Sequence, residues 1–332
     1  MKNELIPLIE KTMKMHYLDS VSIFCNKQKT MKSIGAALAL SEFLNSISIP
    51  SNVIIENTEK LSLETFQPQD CKINPLHLIS NTPLSEHFLA ICVDCKRIYD
   101  IESTIYQESF VLMNIFGPLV AKGFGVLNFI QKDVSCSAEI IYKELKNYCI
   151  KANKKLPVQV ANYLYLSLLT GTKQFSANIK KETFLIAKEL LNEGADYHEA
   201  TYAVSKKSVE VLKCQEVLLK EITIEEHIAY VVLDIETSSQ FSTADFAATL
   251  EVFQNIGNIY VWVIFLEREN RYDVILESNS TYKYNVGYVA KKNNGTGEIT
   301  EAYANIEKTD ISKLLGDVKL LIKSERGGHS HE

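Results

Sequence analysis

The sequence has no apolar run of about 18 or more residues, the length a bilayer-spanning helix needs, so no membrane span is expected. Its start, Met1-Lys-Asn-Glu-Leu-Ile-Pro7, lacks an apolar stretch ahead of a small-residue cleavage site. No secretion signal is read there, and the cytoplasm is the expected compartment. Cysteine is sparse and odd in number, with seven residues at 25, 71, 92, 95, 136, 149 and 214, mostly in apolar settings. That argues for reduced, buried thiols and against a disulfide framework. Cys92-Val-Asp-Cys95 has zinc or redox spacing, but no second Cys pair or Cys/His pair accompanies it, and strand periodicity sets its two sulfurs on opposite faces. Positive charge is also short: the net charge of -6 argues against a broad nucleic-acid surface, though a local groove remains compatible with it. No internal repeat and no low-complexity segment is present.

What is there is enough chain for two domains, at 332 residues with 46% hydrophobic content. After a short helix over residues 3 to 15, the apolar strand Val21 to Cys25 leads through the polar loop Asn26 to Lys32 into the helix Ile34 to Leu44, whose small residues suit close packing. Strand-like runs recur at Asn52 to Ile55, Leu76 to Ser80, Phe88 to Asp94 and Phe110 to Ile115. The connections between them are long enough for crossover helices. This alternation predicts an α/β fold with a parallel, doubly wound sheet and ligands at the carboxyl ends of its strands. From Ser137 the pattern turns helical, over Ser137 to Tyr148, Pro157 to Gly171, Glu182 to Asn192 and Tyr197 to Val204. Residues 205–222 read as a connection containing a helix from Ser208 to Leu219. A smaller α/β domain follows across a cleft, with strands Ile228 to Ile235, Ile259 to Leu266 and Tyr272 to Leu276, the helix Thr243 to Asn255 and the loop Asn293 to Gly297. The expected boundaries are 1–204, 205–222, 223–325 and a polar tail over 326–332.

This order of elements resembles the DHH-type phosphoesterase superfamily, in its RecJ-like, nanoRNase and phosphoadenosine-phosphatase branch with a DHH-associated C-terminal domain. The resemblance covers nearly the whole chain. In the family, a strand leads to a His-x-x-x-Pro-Asp-x-Asp loop and a helix opening Ala-Ile-Gly-Ser. Here the frame is kept by Ser33-Ile-Gly35, but the metal-binding His corresponds to Asn26 and the two Asp to Thr30 and Lys32. The family's second motif, an Asp closing a buried strand, is kept as Asp94. Its Asp-His-His triplet corresponds to Phe116, Gly117 and Pro118, although Gly125 and Asn128 echo the residues that follow. Ser135-Cys-Ser-Ala-Glu139, with Ser135 and Ser137 as candidate ligand contacts, is similar to the family's Ser-Ser-Thr-Ala-Glu helix start. The fourth motif appears as Thr170-Gly-Thr-Lys-Gln-Phe175, with Gly171 where a metal-binding Asp would stand. In the second domain, the phosphate-gripping Leu-Arg-Ser strand end corresponds to Leu276-Glu277-Ser278, and the Gly-Gly-Gly-His loop to Gly295, Thr296, Gly297 and Glu298. The terminal Gly-Gly-His lies too far downstream to be that loop.

Two divalent ions held a few ångströms apart need several anionic oxygens and imidazoles to offset dehydration and mutual repulsion. Of that set only Asp94 is left, and Lys32 puts a cation where a carboxylate should be. No metal is therefore expected, and an ion pair between Lys32 and Asp94 is expected in its place; a cap at the strand end is the plainer reading of Asp94. Single histidines at 16, 77, 87, 198 and 227 read as surface or packing residues, Trp262 as core, and Lys291-Lys292 as a solvated face. The leading functional expectation is a DHH-family chain without metal-dependent phosphodiester hydrolysis that acts by binding a partner or ligand, the partner being an unknown protein or a paralogue, with a homodimer implied by the resemblance alone. The resemblance equally implies a Mn-dependent oligoribonuclease or 3'-phosphoadenosine 5'-phosphate phosphatase. A third expectation is a metal-free binder of a nucleotide or short oligonucleotide.

Overall fold

The computed structural model describes residues 4–28, 30–56, 77–117, 123–177, 179–253, 256–279 and 284–328. It divides into two compact units, Met1–Lys206 and Lys207–Glu332.

The first unit runs α1 (Leu5–His16), β1 (Ser20–Phe24), α2 (Met31–Ser46), β2 (Ser51–Ile54), β3 (Ile79–Ser80), β4 (Phe88–Val93), β5 (Leu112–Phe116), β6 (Leu127–Ile130), α3 (Ser137–Lys151), α4 (Val158–Gly171), α5 (Lys181–Asn192) and α6 (Tyr197–Ser205). Its six strands pair in parallel in the order β3-β2-β1-β4-β5-β6. β1, β2 and β4 are buried at every position, which is how a parallel sheet covered on both faces reads in sequence. Each fully buried Ile, Leu or Phe among them contributes about 1.5–3 kcal/mol. One face carries the main core, and the other a smaller cluster around Phe24, Phe88 and Ile101. The small residues of α2 have the use expected of them: a Cβ on Gly35 would stand 2.9 Å from the Tyr163 carbonyl oxygen of α4, so the two backbones meet only at glycine.

Three expectations shift. Phe110 is exposed, and its strand begins at Leu112, where pairing with β4 starts. Of the strand expected over Leu76 to Ser80, Leu76 lies outside the described residues and only β3 pairs. Cys92 and Cys95 do not part to opposite faces. β4 ends at Val93, Asp94 takes a left-handed backbone (φ 61°), and the chain turns so that both sulfurs join the same apolar cluster. The six described cysteines are free and buried, as expected of reduced thiols; Cys71 lies outside the described residues.

The second unit runs α7 (Val209–Glu221), β7 (Thr223–Glu225), β8 (Ile228–Leu233), α8 (Ile235–Ser238), α9 (Thr243–Phe253), β9 (Val261–Glu267), β10 (Arg271–Ser278), α10 (Val286–Lys292), β11 (Thr296–Gly297), β12 (Glu301–Glu307) and α11 (Ile311–Gly328). Its mixed sheet has the order β11-β12-β10-β9-β8-β7, parallel only between β8 and β9. α7, read from sequence as part of a connection, packs Cys214 and Leu218 into this unit's core with Leu250 and Trp262. The segment expected as a polar tail begins inside α11, whose Leu314, Val318 and Ile322 line the opposite face of the sheet; residues 329–332 lie outside the described residues.

Candidate functional site

In the first sheet the chain moves outward from β1 to β2 and β3, then returns to the other side of β1 with β4. The carboxyl ends of β1 and β4 are therefore the point where strand order reverses, the place where doubly wound sheets bind ligands. Asn26 follows β1 there, and Asp94 follows β4.

Asp94 is the centre of this site. Its side chain is 3% exposed, its Oδ2 lies 2.9 Å from the Lys32 Nζ, and its Oδ1 accepts from the Ser137 hydroxyl at 3.1 Å. Lys32 and Ser137 belong to the first turns of α2 and α3, so two helix N-termini approach the carboxylate and favour its charge. Burial acts the other way, pushing the Asp94 carboxyl above its ordinary value against the pull of Lys32 and Ser137. The left-handed backbone at Asp94 is held in place from both sides. Its N–H donates to the Ile115 carbonyl at 3.0 Å, and its carbonyl accepts from Asn26 Nδ2 at 3.1 Å. Asn26 also folds its own loop, its Oδ1 accepting from the Gln28 N–H at 3.0 Å.

Ser33 ties the two strand ends together, accepting from the Asn26 N–H at 3.0 Å and donating to the Val93 carbonyl at 3.2 Å. Thr30 caps α2, its hydroxyl accepting from the Ser33 N–H at 3.4 Å. Lys32 is oriented further by the Ser167 hydroxyl, which donates to its backbone carbonyl. The aliphatic stem of Lys32 lies against Gly171, the last residue of α4, so the cation is also near a helix C-terminus that favours it.

The structure brings Asn26, Lys32, Asp94, Ser137 and Gly171 together and gives Thr30 its capping role. Phe116 ends β5, paired with Ile130. Gly117 faces Val134 and Ile140, and Pro118 lies outside the described residues. Ser135 is not part of the cluster; its hydroxyl is 2.6 Å from that of Thr183, which donates to the buried Glu139 at 2.7 Å. In the second unit, Glu277 and Ser278 are buried at the end of β10, with Glu277 opposite Trp262 on β9 and Glu301 on β12. Thr296 and Gly297 form the edge strand β11 beside Tyr303 and Ala302, so what reads as a loop is partly paired. A Cβ on Gly297 would lie 2.3 Å from the Ala302 Cβ, which gives this glycine a packing role, while Glu298 is exposed. Sequence reasoning placed Ser33 in a helix opening without assigning its side chain, and it missed Asn114, whose buried amide donates to the Cys95 carbonyl at 3.0 Å. A buried strand residue able to donate two hydrogen bonds was the available signal.

No family model matches the chain. It is 25% identical, over 88% of its length and 91% of the relative's, to a Streptococcus mutans protein named a probable bifunctional oligoribonuclease and PAP phosphatase, NrnA. An exopolyphosphatase-related protein from Bacteroides fragilis superposes with a TM-score of 0.74 at 17% identity, covering 98% of both chains. Manganese-bound exonuclease RecJ superposes with a TM-score of 0.51 at 12% identity, covering 93% of this chain and 91% of RecJ. These likenesses support the DHH-type resemblance carried by the sequence motifs.

The residues of this site do not fit the paired metal ions of that superfamily. Asn26, Thr30, Phe116 and Gly117, expected at the ligand positions, offer no carboxylate or imidazole, and an ammonium occupies one side of the Asp94 carboxylate. Among the described residues, no group of three or more His, Cys, Asp or Glu is placed to hold a metal ion. The space at two of the expected ligand positions is also tight. A Cβ on Gly171 would lie 2.8 Å from the Cys136 Cβ and 3.1 Å from the Lys32 stem, and one on Gly117 would lie 2.4 Å from a Val134 methyl. The adjacent thiol supplies no nucleophile: burial, with the nearby Glu139 charge, pushes Cys136 up to about 12. Among the described residues, no helix is long and apolar enough to cross a membrane.

Proposed function

We propose that this DHH-type chain has given up metal-dependent phosphodiester hydrolysis and works by binding a partner in the cytoplasm. The observation that carries the reading is the Lys32 ammonium at 2.9 Å from Asp94. A cation fixed there repels a divalent ion, and without such an ion nothing lowers the pKa of an attacking water or offsets charge on a phosphoryl group. The tight packing at Gly171 and Gly117 supports the same reading, because restoring ligands at those positions requires neighbours to move.

The likeness to the NrnA protein favours a second reading, a Mn-dependent oligoribonuclease or 3'-phosphoadenosine 5'-phosphate phosphatase. Incubation of the purified chain with manganese and a short oligoribonucleotide, or with 3'-phosphoadenosine 5'-phosphate, separates the two. The binding reading expects no product above an Asp94→Asn control, whereas turnover that this substitution abolishes establishes the hydrolase. Calorimetric titration with dinucleotides in the absence of metal tests the third reading, a nucleotide or oligonucleotide binder. Affinity capture from the native cell is the route to a protein partner.

A further inference from the structure

The second unit holds a cavity of about 300 Å³ between the start of β10, the end of β12, the end of α10 and the start of α11. It lies at the opposite end of β10 from Glu277 and Ser278, roughly 20 Å away along a strand rising about 3.3 Å per residue. Nothing assigned to the DHH-type site falls in it, and the inference does not rest on the binding reading above.

Three features of the lining are chemically specific. Arg271 spends its Nε on Asp273 at 2.9 Å, and among the described residues neither of its Nη groups has a hydrogen-bond partner. Two parallel N–H donors at one edge of a guanidinium match a carboxylate. Asn293, 3% exposed, donates its amide to the Val289 carbonyl at 2.9 Å and to Asp317 at 3.0 Å, leaving its Oδ1 buried without a partner. Flipping the amide would set oxygen against two acceptors, so this orientation is fixed by its neighbours and the unmet acceptor is intrinsic to the fold. The charges, finally, are mixed. Glu307 sits directly opposite Arg271 in the β10–β12 register, and Asp310 lines the same cavity with Lys292 and Lys313.

Of the three cations in the lining, Lys292 is paired with Asp317 and Lys313 with Asp310, so a phosphate dianion would meet Arg271 directly beside the Glu307 carboxylate, which repels it. Among the described residues no aromatic ring lines the cavity, so none offers a nucleobase a face to stack on. A small zwitterion uses both signs at once, with its carboxylate on the Arg271 Nη groups and its ammonium donating to the Glu307 and Asp310 carboxylates, the buried Asn293 Oδ1 adding negative potential behind them. The volume is at the small end of ligand pockets and suits a molecule of amino-acid size. We propose that this cavity is a binding site for a free polar α-amino acid.

The test titrates the full chain with each polar L-amino acid, following thermal unfolding and then isothermal calorimetry, with inorganic phosphate and a sugar phosphate as comparison ligands. At least one amino acid should raise Tm with increasing concentration, and its N-acetyl derivative and its methyl ester should not. Arg271 is exposed, so Arg271→Gln should fold normally and bind at least about tenfold more weakly. The proposal is overturned if no amino acid binds, if Arg271→Gln binds as well as the parent, or if inorganic phosphate binds as tightly as any amino acid.

Discussion

Replacing Lys32 with methionine keeps the stem that lies on Gly171 and removes the charge that faces Asp94. At 2.9 Å and an effective dielectric of 20, the direct attraction between the two charges is about 6 kcal/mol. Lys32 is 33% exposed, so solvent screens part of this, whereas Asp94 at 3% has no water to turn to. An uncompensated buried carboxylate then sets the loss, and the expected destabilisation at pH 7 is about 2–4 kcal/mol. The pH dependence is part of the prediction. Burial raises the Asp94 pKa above its ordinary 3.8, so the native chain keeps this proton to higher pH than the unfolded chain does. The ionised form therefore costs stability as pH rises from about 4 through the native pKa, and losing Lys32 widens that window. Urea unfolding followed by far-ultraviolet circular dichroism should show a small deficit for Lys32→Met at pH 4 and the full deficit at pH 7. Adding Asp94→Asn to it should recover most of the loss, since asparagine tolerates the left-handed backbone. A deficit below about 0.5 kcal/mol at pH 7, or one equal at both pH values, would refute the assignment of this pair as the support of the site.

Three further outcomes are expected. Gly171→Asp, which rewrites the fourth family motif, should lower stability by about 1–3 kcal/mol in the same urea assay, because its side chain enters the space of Cys136 and Lys32. Thr30→Ala should cost about 0.5–1 kcal/mol through the lost cap of α2, with Thr30→Ser near neutral; an equal loss in both would assign Thr30 a packing role. The six described cysteines should resist iodoacetamide in the folded chain and react in urea, as read by peptide mass spectrometry, because burial raises the thiols of Cys92, Cys95, Cys136, Cys149 and Cys214.

The fold was legible where apolar runs are short and bounded by polar loops, as in β1, β4 and β9, since burial on both faces leaves little choice but a parallel or central strand. It was less legible where small residues carry the core. β12 alternates faultlessly, but its buried positions are Ala302, Ala304 and Ile306, and two alanines give little apolar signal. Cys92 and Cys95 were set apart by a period that stops at Val93, and the left-handed residue that reunites them has no signature of its own. The ion pair at the site was foreseeable through the resemblance, which sets Lys32 and Asp94 in its first and second motifs, at the ends of neighbouring strands. The packing that closes Gly117 and Gly171 was not, because Val134, Ile140 and Cys136 reach those glycines only through the folded arrangement of α3 and α4.

The central claim, that an ammonium has taken the place of metal beside Asp94, is tested most directly by manganese titration of the purified chain followed by electron paramagnetic resonance. The signal of free aqueous Mn(II) is expected to rise in proportion to the metal added, as in buffer alone. Loss of that signal up to one or two equivalents, restored by Asp94→Asn, would contradict it.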